Sequence, residues 1–167
     1  YWIAQSFTIP HTDNTYQGIS LYLSKSGTIN NDLVVEIQTD SAGKPSGTEV
    51  TNATFAILSA DISAFGTGWY FANSTNKFTL NANTRYWIVI MCGAGVSDGG
   101  GGSNFNVWGR SNTAANYGRG NGAETYDGGV NWVDVPTDDY GFKLSYGGKV
   151  DSPVGALTLD IDHYRRF

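Results

Sequence analysis

The sequence predicts an all-β sandwich on three observations. Apolar and polar residues alternate with period two in one segment after another, Gly, Asn, Asp or Pro ends each segment, and the segments recur roughly every ten residues. Composition agrees, because the 167 residues include 22 Gly, 5 Trp, 10 Tyr and 8 Phe, with many Asn and Thr and few of the helix formers Glu, Lys and Leu. That length suits one domain with a core able to fold by itself, or one domain with a short appendage.

The expected strands follow in order. Ala4 to Ile9 ends at Pro10, and Tyr16 to Ser24 puts Ile19, Leu21 and Leu23 on one face with Tyr22 on the other. Leu33 to Thr39 aligns Leu33, Val35 and Ile37 before a surface turn, Asp40 to Gly47, rich in Gly and Pro; Glu49 to Leu58 comes next. Ser59 to Gly68 breaks the alternation and can hold one short helical turn capped by Ser59. Trp69 to Ala72 and Lys77 to Leu80 read as two short strands, and Arg85 to Cys92, apolar on both faces, as the central one. Beyond a glycine-rich loop, Gly93 to Ser103, come Asn104 to Trp108, a Gly/Asn-rich excursion to Ala123, then Thr125-Tyr126. A hairpin turn at Asp127-Gly128-Gly129, Val130 to Val135, and a last strand Tyr140 to Tyr146 complete a domain spanning 1–148. The tail, 149–167, opens with Asp151-Ser152-Pro153 and then sets Leu157, Leu159 and Ile161 against Thr158, Asp160 and Asp162. It reads as a C-terminal extension strand, suited to pairing with a neighbouring subunit.

Bulk properties narrow the partners. A net charge of −5 and a pI near 4.7 with scattered basic residues argue against nucleic acid, which requires clustered Lys and Arg; the pair Arg165-Arg166 reads as a solvated end. The longest apolar run, Tyr86 to Cys92, is far short of the roughly 18 residues that cross a bilayer, so no membrane-embedded segment is expected. The single cysteine, Cys92, reads as a small buried hydrophobe. The start at Tyr1-Trp2, without Met, fits a cleaved leader or a piece of a longer protein.

Enzyme signatures are sparse. The two histidines, His11 and His163, fall in a loop and in the tail, which separates them from any nucleophile. Neither a Gly-x-Ser-x-Gly elbow nor a His-Glu-x-x-His stretch occurs, and Gly93-x-Gly95 lacks the third glycine and the helix of a nucleotide cradle. A glycoside hydrolase needs two carboxylates, for which Asp138-Asp139 with Glu124 or Asp127 are the candidates; adjacent aspartates on a strand point to opposite faces, which weakens this reading. The chain is therefore expected to be no enzyme.

Binding chemistry is better represented. Asp127, Asp134, Asp138 and Asp139 with loop carbonyls form an oxygen-rich set that suits structural Ca²⁺, against the plainer reading of ordinary turn aspartates; no other cofactor is indicated. Trp69, Trp87, Phe7 and Phe142 lie within alternating strands and are expected in the core. Trp108, Tyr117, Tyr126 and Trp132 sit at strand ends or in loops, interleaved with Asn106, Arg110, Asn116, Arg119 and Asn131. That mixture suits carbohydrate, whose C–H face stacks on an aromatic ring while its hydroxyls take amide and guanidinium partners. A loop folded over its own aromatic residues is the competing reading. Asn52-Ala53-Thr54 and Asn73-Ser74-Thr75 fit the N-glycosylation pattern, a match common in a chain rich in Asn and Thr.

Four stretches in this order resemble the choice-of-anchor R type of domain: Ala4-Gln5-Ser6-Phe7-Thr8, Asp40 to Gly47, Leu80 to Tyr86-Trp87 reading L-x-A-x-T-x-Y-W, and Asp127-Gly128-Gly129-x-x-Trp132. The likeness runs from about residue 4 to residue 146. It implies a jelly-roll-like antiparallel sandwich of the kind found on exported bacterial proteins and phage virions, and carries no catalytic residues to transfer. The expectation is an extracellular, cell-surface or virion-surface module, structural and adhesive, that recognises carbohydrate through Asn106, Trp108, Arg110, Tyr117, Tyr126, Asn131 and Trp132. The alternative is an architectural decoration or filament subunit that assembles with other subunits through Leu157, Leu159 and Ile161.

Overall fold

The computed structural model describes residues 1–9, 14–26, 29, 31–63, 68–91, 105–108, 110–111, 120–136 and 139–146. The described residues form twelve strands: β1 (Trp2–Thr8), β2 (Asn14–Ser26), β3 (Leu33–Ser41), β4 (Lys44–Ile57), β5 (Gly68–Leu80), β6 (Arg85–Met91), β7 (Phe105–Trp108), β8 (Arg110–Ser111), β9 (Gly122–Thr125), β10 (Val133–Val135), β11 (Asp139–Tyr140) and β12 (Phe142–Ser145). Apart from a 3-10 turn over Ser59–Asp61, the described residues contain no helix.

Two antiparallel sheets face each other. One has the order β10-β9-β1-β6-β3-β4; in the other, β2 is flanked by β5 on one edge and, end to end, by β12 and β7 on the other, while β8 and β11 form a separate ribbon. Between the sheets lie Phe7, Tyr86, Ile88, Ile90, Leu33, Val35, Ile37, Phe55 and Ile57 from the larger, against Ile19, Leu21, Leu23, Phe78, Leu80, Phe142 and Leu144 from the smaller. Each such side chain contributes about 1.5–3 kcal/mol by leaving water. The rings of Phe7 and Phe142 meet across the two sheets at 5.3 Å.

Strand β6 is central, with β1 and β3 on its two edges, and Tyr86 to Ile90 are all buried. Because successive side chains point to opposite faces, Trp87 and Val89 lie on the outer side of the sheet. With Ala4 and Ala123 they form a second apolar cluster, covered by Trp2, Met91 and Trp132.

Asp40 to Gly47 is a hairpin whose strands run almost to its tip, Ser41 pairing with Lys44. Ala42 and Gly43 both have positive φ, 50° and 83°, the geometry that suits a two-residue turn to the twist of its strands. Asp40 joins two distant pieces of sequence: Oδ2 accepts the Gly43 N–H at 3.1 Å, and Oδ1 accepts the Trp87 indole N–H at 2.7 Å.

Several expectations need correction. Trp69 is 42% exposed rather than in the core, since Tyr70 and Ala72 take the inward positions of β5. The two short strands expected over 69–80 are one, interrupted only by a bulge where pairing passes from Gly18 with Asn73 to Tyr16 with Phe78; the Ser74 hydroxyl fills it, 3.0 Å from the Gln17 carbonyl. Residues 140–146 are not one strand, because the chain changes sheet at Gly141, whose carbonyl accepts the Tyr22 N–H at 3.1 Å. The 3-10 turn is present, yet Ser59 does not cap it: its N–H is taken by Asp32 Oδ1 at 2.8 Å, and its hydroxyl bonds the Ile29 carbonyl.

Candidate functional site

The turn joining β9 to β10, Tyr126 to Trp132, is organised by one side chain. Asp127 Oδ1 accepts the N–H groups of Asn131 at 2.9 Å and Val130 at 3.1 Å and the Thr125 hydroxyl at 2.6 Å. Its Oδ2 accepts Asn131 Nδ2 at 2.7 Å. An aspartate bonding backbone donors a few residues ahead is a turn former. These donors, the Asn131 backbone N–H foremost and the Thr125 hydroxyl next, hold the carboxyl well below its ordinary range. Gly128 and Gly129, at φ 73° and 92°, supply the left-handed backbone that residues with a Cβ resist.

This rigid turn presents apolar surface. Tyr126 is 78% exposed, Val130 77% and Val133 62%. The ring of Tyr1 lies 4.8 Å from that of Tyr126, tilted by 40°. Glu124 holds the arrangement from beneath: Oε1 accepts the Tyr140 hydroxyl at 3.1 Å, and the carboxylate is hydrogen-bonded to the Tyr1 phenol. Burial first, and then this carboxylate, push the Tyr1 phenol far above its usual range, so it is neutral and donates. Trp2 underlies the turn; a Cβ on Gly129 would come within 2.7 Å of its ring. Trp132 packs beside Trp2 on the outer cluster of the large sheet.

Of the residues expected to bind carbohydrate, the structure gathers Tyr126, Asn131 and Trp132 on this one turn. Trp108 is a correction: it is 3% exposed, its ring is stacked on Tyr140 and its indole N–H donates to the Gly141 carbonyl at 2.8 Å. With both its face and its edge engaged inside the protein, it has no surface to offer a sugar. Asn106 and Arg110 are described as strand positions only, in β7 and β8, and Tyr117 lies outside the described residues.

The aspartates expected around Ca²⁺ occupy separate settings. Asp127 serves the turn, Asp134 is ion-paired with Lys44, Asp139 is buried in β11, and Asp138 lies outside the described residues. Among the described residues, no three His, Cys, Asp or Glu side chains form a group able to hold a metal ion. The assembly residues Leu157, Leu159 and Ile161, with the whole tail, also lie outside them. No described helix is long and apolar enough to cross a membrane.

The sequence reading missed Tyr1, Trp2, Val130 and Val133. Tyr1 and Trp2 carry no local signal, because what brings them to the site is the pairing of Trp2 with Thr125 in β9. Val130 and Val133 read as strand residues, whereas β10 begins only at Val133 and Val130 stands in the turn.

The fold thus defines the class, an all-β sandwich with an aromatic turn at one edge of its larger sheet. The chain matches no family model, no curated protein and no solved structure.

Proposed function

We propose that this chain is a non-enzymatic, jelly-roll-like module of the choice-of-anchor R type, carried on an extracellular cell surface or a virion, that recognises carbohydrate through the β9–β10 turn. The observation that carries this reading is the pairing of an exposed Tyr126 with Tyr1 on a turn locked by Asp127. Exposed rings with few side-chain rotors offer stacking area at little cost in entropy, and Asn131 with the turn backbone supplies polar edges beside them.

The test is a glycan array probed with the 167-residue chain, with and without Ca²⁺, and repeated with Tyr126→Ala. Hits lost in the variant support the site; a blank array from the folded protein overturns the reading. If Asp127, Asp134, Asp138 and Asp139 contribute to a structural Ca²⁺ site, added Ca²⁺ raises the Tm and the aspartate-to-asparagine variants remove that rise. Incubation with the array hits should release no shorter product; turnover abolished by Asp139→Asn would instead establish a glycoside hydrolase.

A second reading is favoured by β10. It stands at the end of the larger sheet, pairs only with β9 among the described strands, and exposes Val133. Such an edge can accept another strand, as an architectural subunit would require of its partner's Leu157, Leu159 and Ile161. Deleting residues 150–167 would abolish assembly in that case and leave glycan binding intact.

A further inference from the structure

The outer face of the smaller sheet departs from what a solvated sheet face should carry. Such faces are normally polar between inward apolar positions, yet here Trp69 on β5 lies 42% exposed, directly opposite Tyr22 on β2. Their rings are 5.2 Å apart and inclined at 47°. Phe71, two residues along β5, continues the row. Its ring lies across Gly18, where a Cβ would come within 2.6 Å of it, so the missing side chain lets the ring lie low against the sheet. The result is an aromatic shelf formed by Phe71, Trp69 and Tyr22.

One cation marks this shelf. Lys143 on β12 holds its Nζ over the face of the Trp69 ring, 4.3 Å from the centroid, and among the described residues the ammonium has no carboxylate partner. In a chain of net charge −5, a cation over an exposed ring, with no carboxylate partner among the described residues, is a local reversal of sign.

We infer that this face is a second binding surface, distinct from the β9–β10 turn, and that it takes an acidic sugar residue of the hexuronate type. The ring carboxylate pairs with Lys143 and draws its ammonium off the Trp69 face, and the pyranose C–H face stacks there, with Phe71 beside it. A nucleic acid would need several clustered cations, whereas Lys143 is the cation that touches these rings among the described residues. The inference shares the carbohydrate class with the proposed function, but none of its residues.

The experiment is a calorimetric titration of the 167-residue chain with trigalacturonate and with its methyl ester, which keeps the stacking face and removes the charge. Trigalacturonate should bind, the ester about tenfold more weakly, and added salt should narrow the difference. Lys143→Gln should equalise the two ligands, Trp69→Ala should abolish binding of both, and Tyr126→Ala should change neither. No binding of trigalacturonate, equal affinity for acid and ester, or undiminished binding by Trp69→Ala overturns the inference. A glycan array left blank by the folded chain, with trigalacturonate binding retained, would overturn the β9–β10 site alone.

Discussion

The indole of Trp108 stacks on the phenol of Tyr140, centroids 4.8 Å apart and planes 27° from parallel. Its N–H meanwhile donates to Gly141, the residue at which the chain leaves β11 for β12. Trp108 therefore fastens the point where the chain passes from the β8–β11 ribbon to the smaller sheet. Trp108→Ala should cost about 3–5 kcal/mol, the range for deleting a buried large aromatic side chain, measured by urea denaturation. A loss below about 0.5 kcal/mol would mean that the ring is at the surface after all.

The β9–β10 turn should loosen in acid. Asp127 has a carboxyl held below its ordinary value of 3.8 by the donors it accepts. A depressed folded-state value means that the stabilisation is present above 3.8 and is lost as pH falls below it. The protection of the Val130 and Asn131 amides, taken relative to their intrinsic exchange rates at each pH, should fall below about pH 4 and be retained at pH 7. Asp127→Asn should show faster exchange at both amides at pH 7, with no further acid dependence from this group.

Two neighbouring glycines should respond differently to the same substitution. At Gly128, φ is 73° and nothing lies within 4 Å of an added Cβ, so Gly128→Ala should cost only the left-handed penalty of about 1–2 kcal/mol. At Gly129 the Cβ would also press on Trp2 at 2.7 Å, so Gly129→Ala should cost more and shift the Trp2 indole resonance. Equal melting temperatures for the two variants would show that Trp2 yields freely.

The Asp40 carboxylate should matter more than a half-buried turn residue usually does. Trp87 is 1% exposed and its indole N–H reaches Asp40 Oδ1. Asp40→Ala should destabilise by about 1–3 kcal/mol, because the buried donor is left without its acceptor. Asp40→Asn, which keeps a side-chain carbonyl, should recover most of the loss; failure to do so would place the effect in the Gly43 turn instead.

Period-two patterning and turn residues determined that this chain is a sandwich of short strands. They also determined that the stretch from Arg85 is its central strand and that Asp127-Gly128-Gly129 turns the chain, because side-chain alternation and positive φ are local properties. Alternation tells which residues share a face. It does not tell which face meets the other sheet, so Trp69, set in a regular strand, proved exposed, and Trp108, beside loops, proved buried. Only tertiary structure decided those two, as it decided the break at Gly141 and the meeting of Tyr1 with Tyr126. Each depends on strand pairings, such as Trp2 with Thr125 and Leu23 with Trp108, between residues far apart in the chain, where no local pattern records the partner.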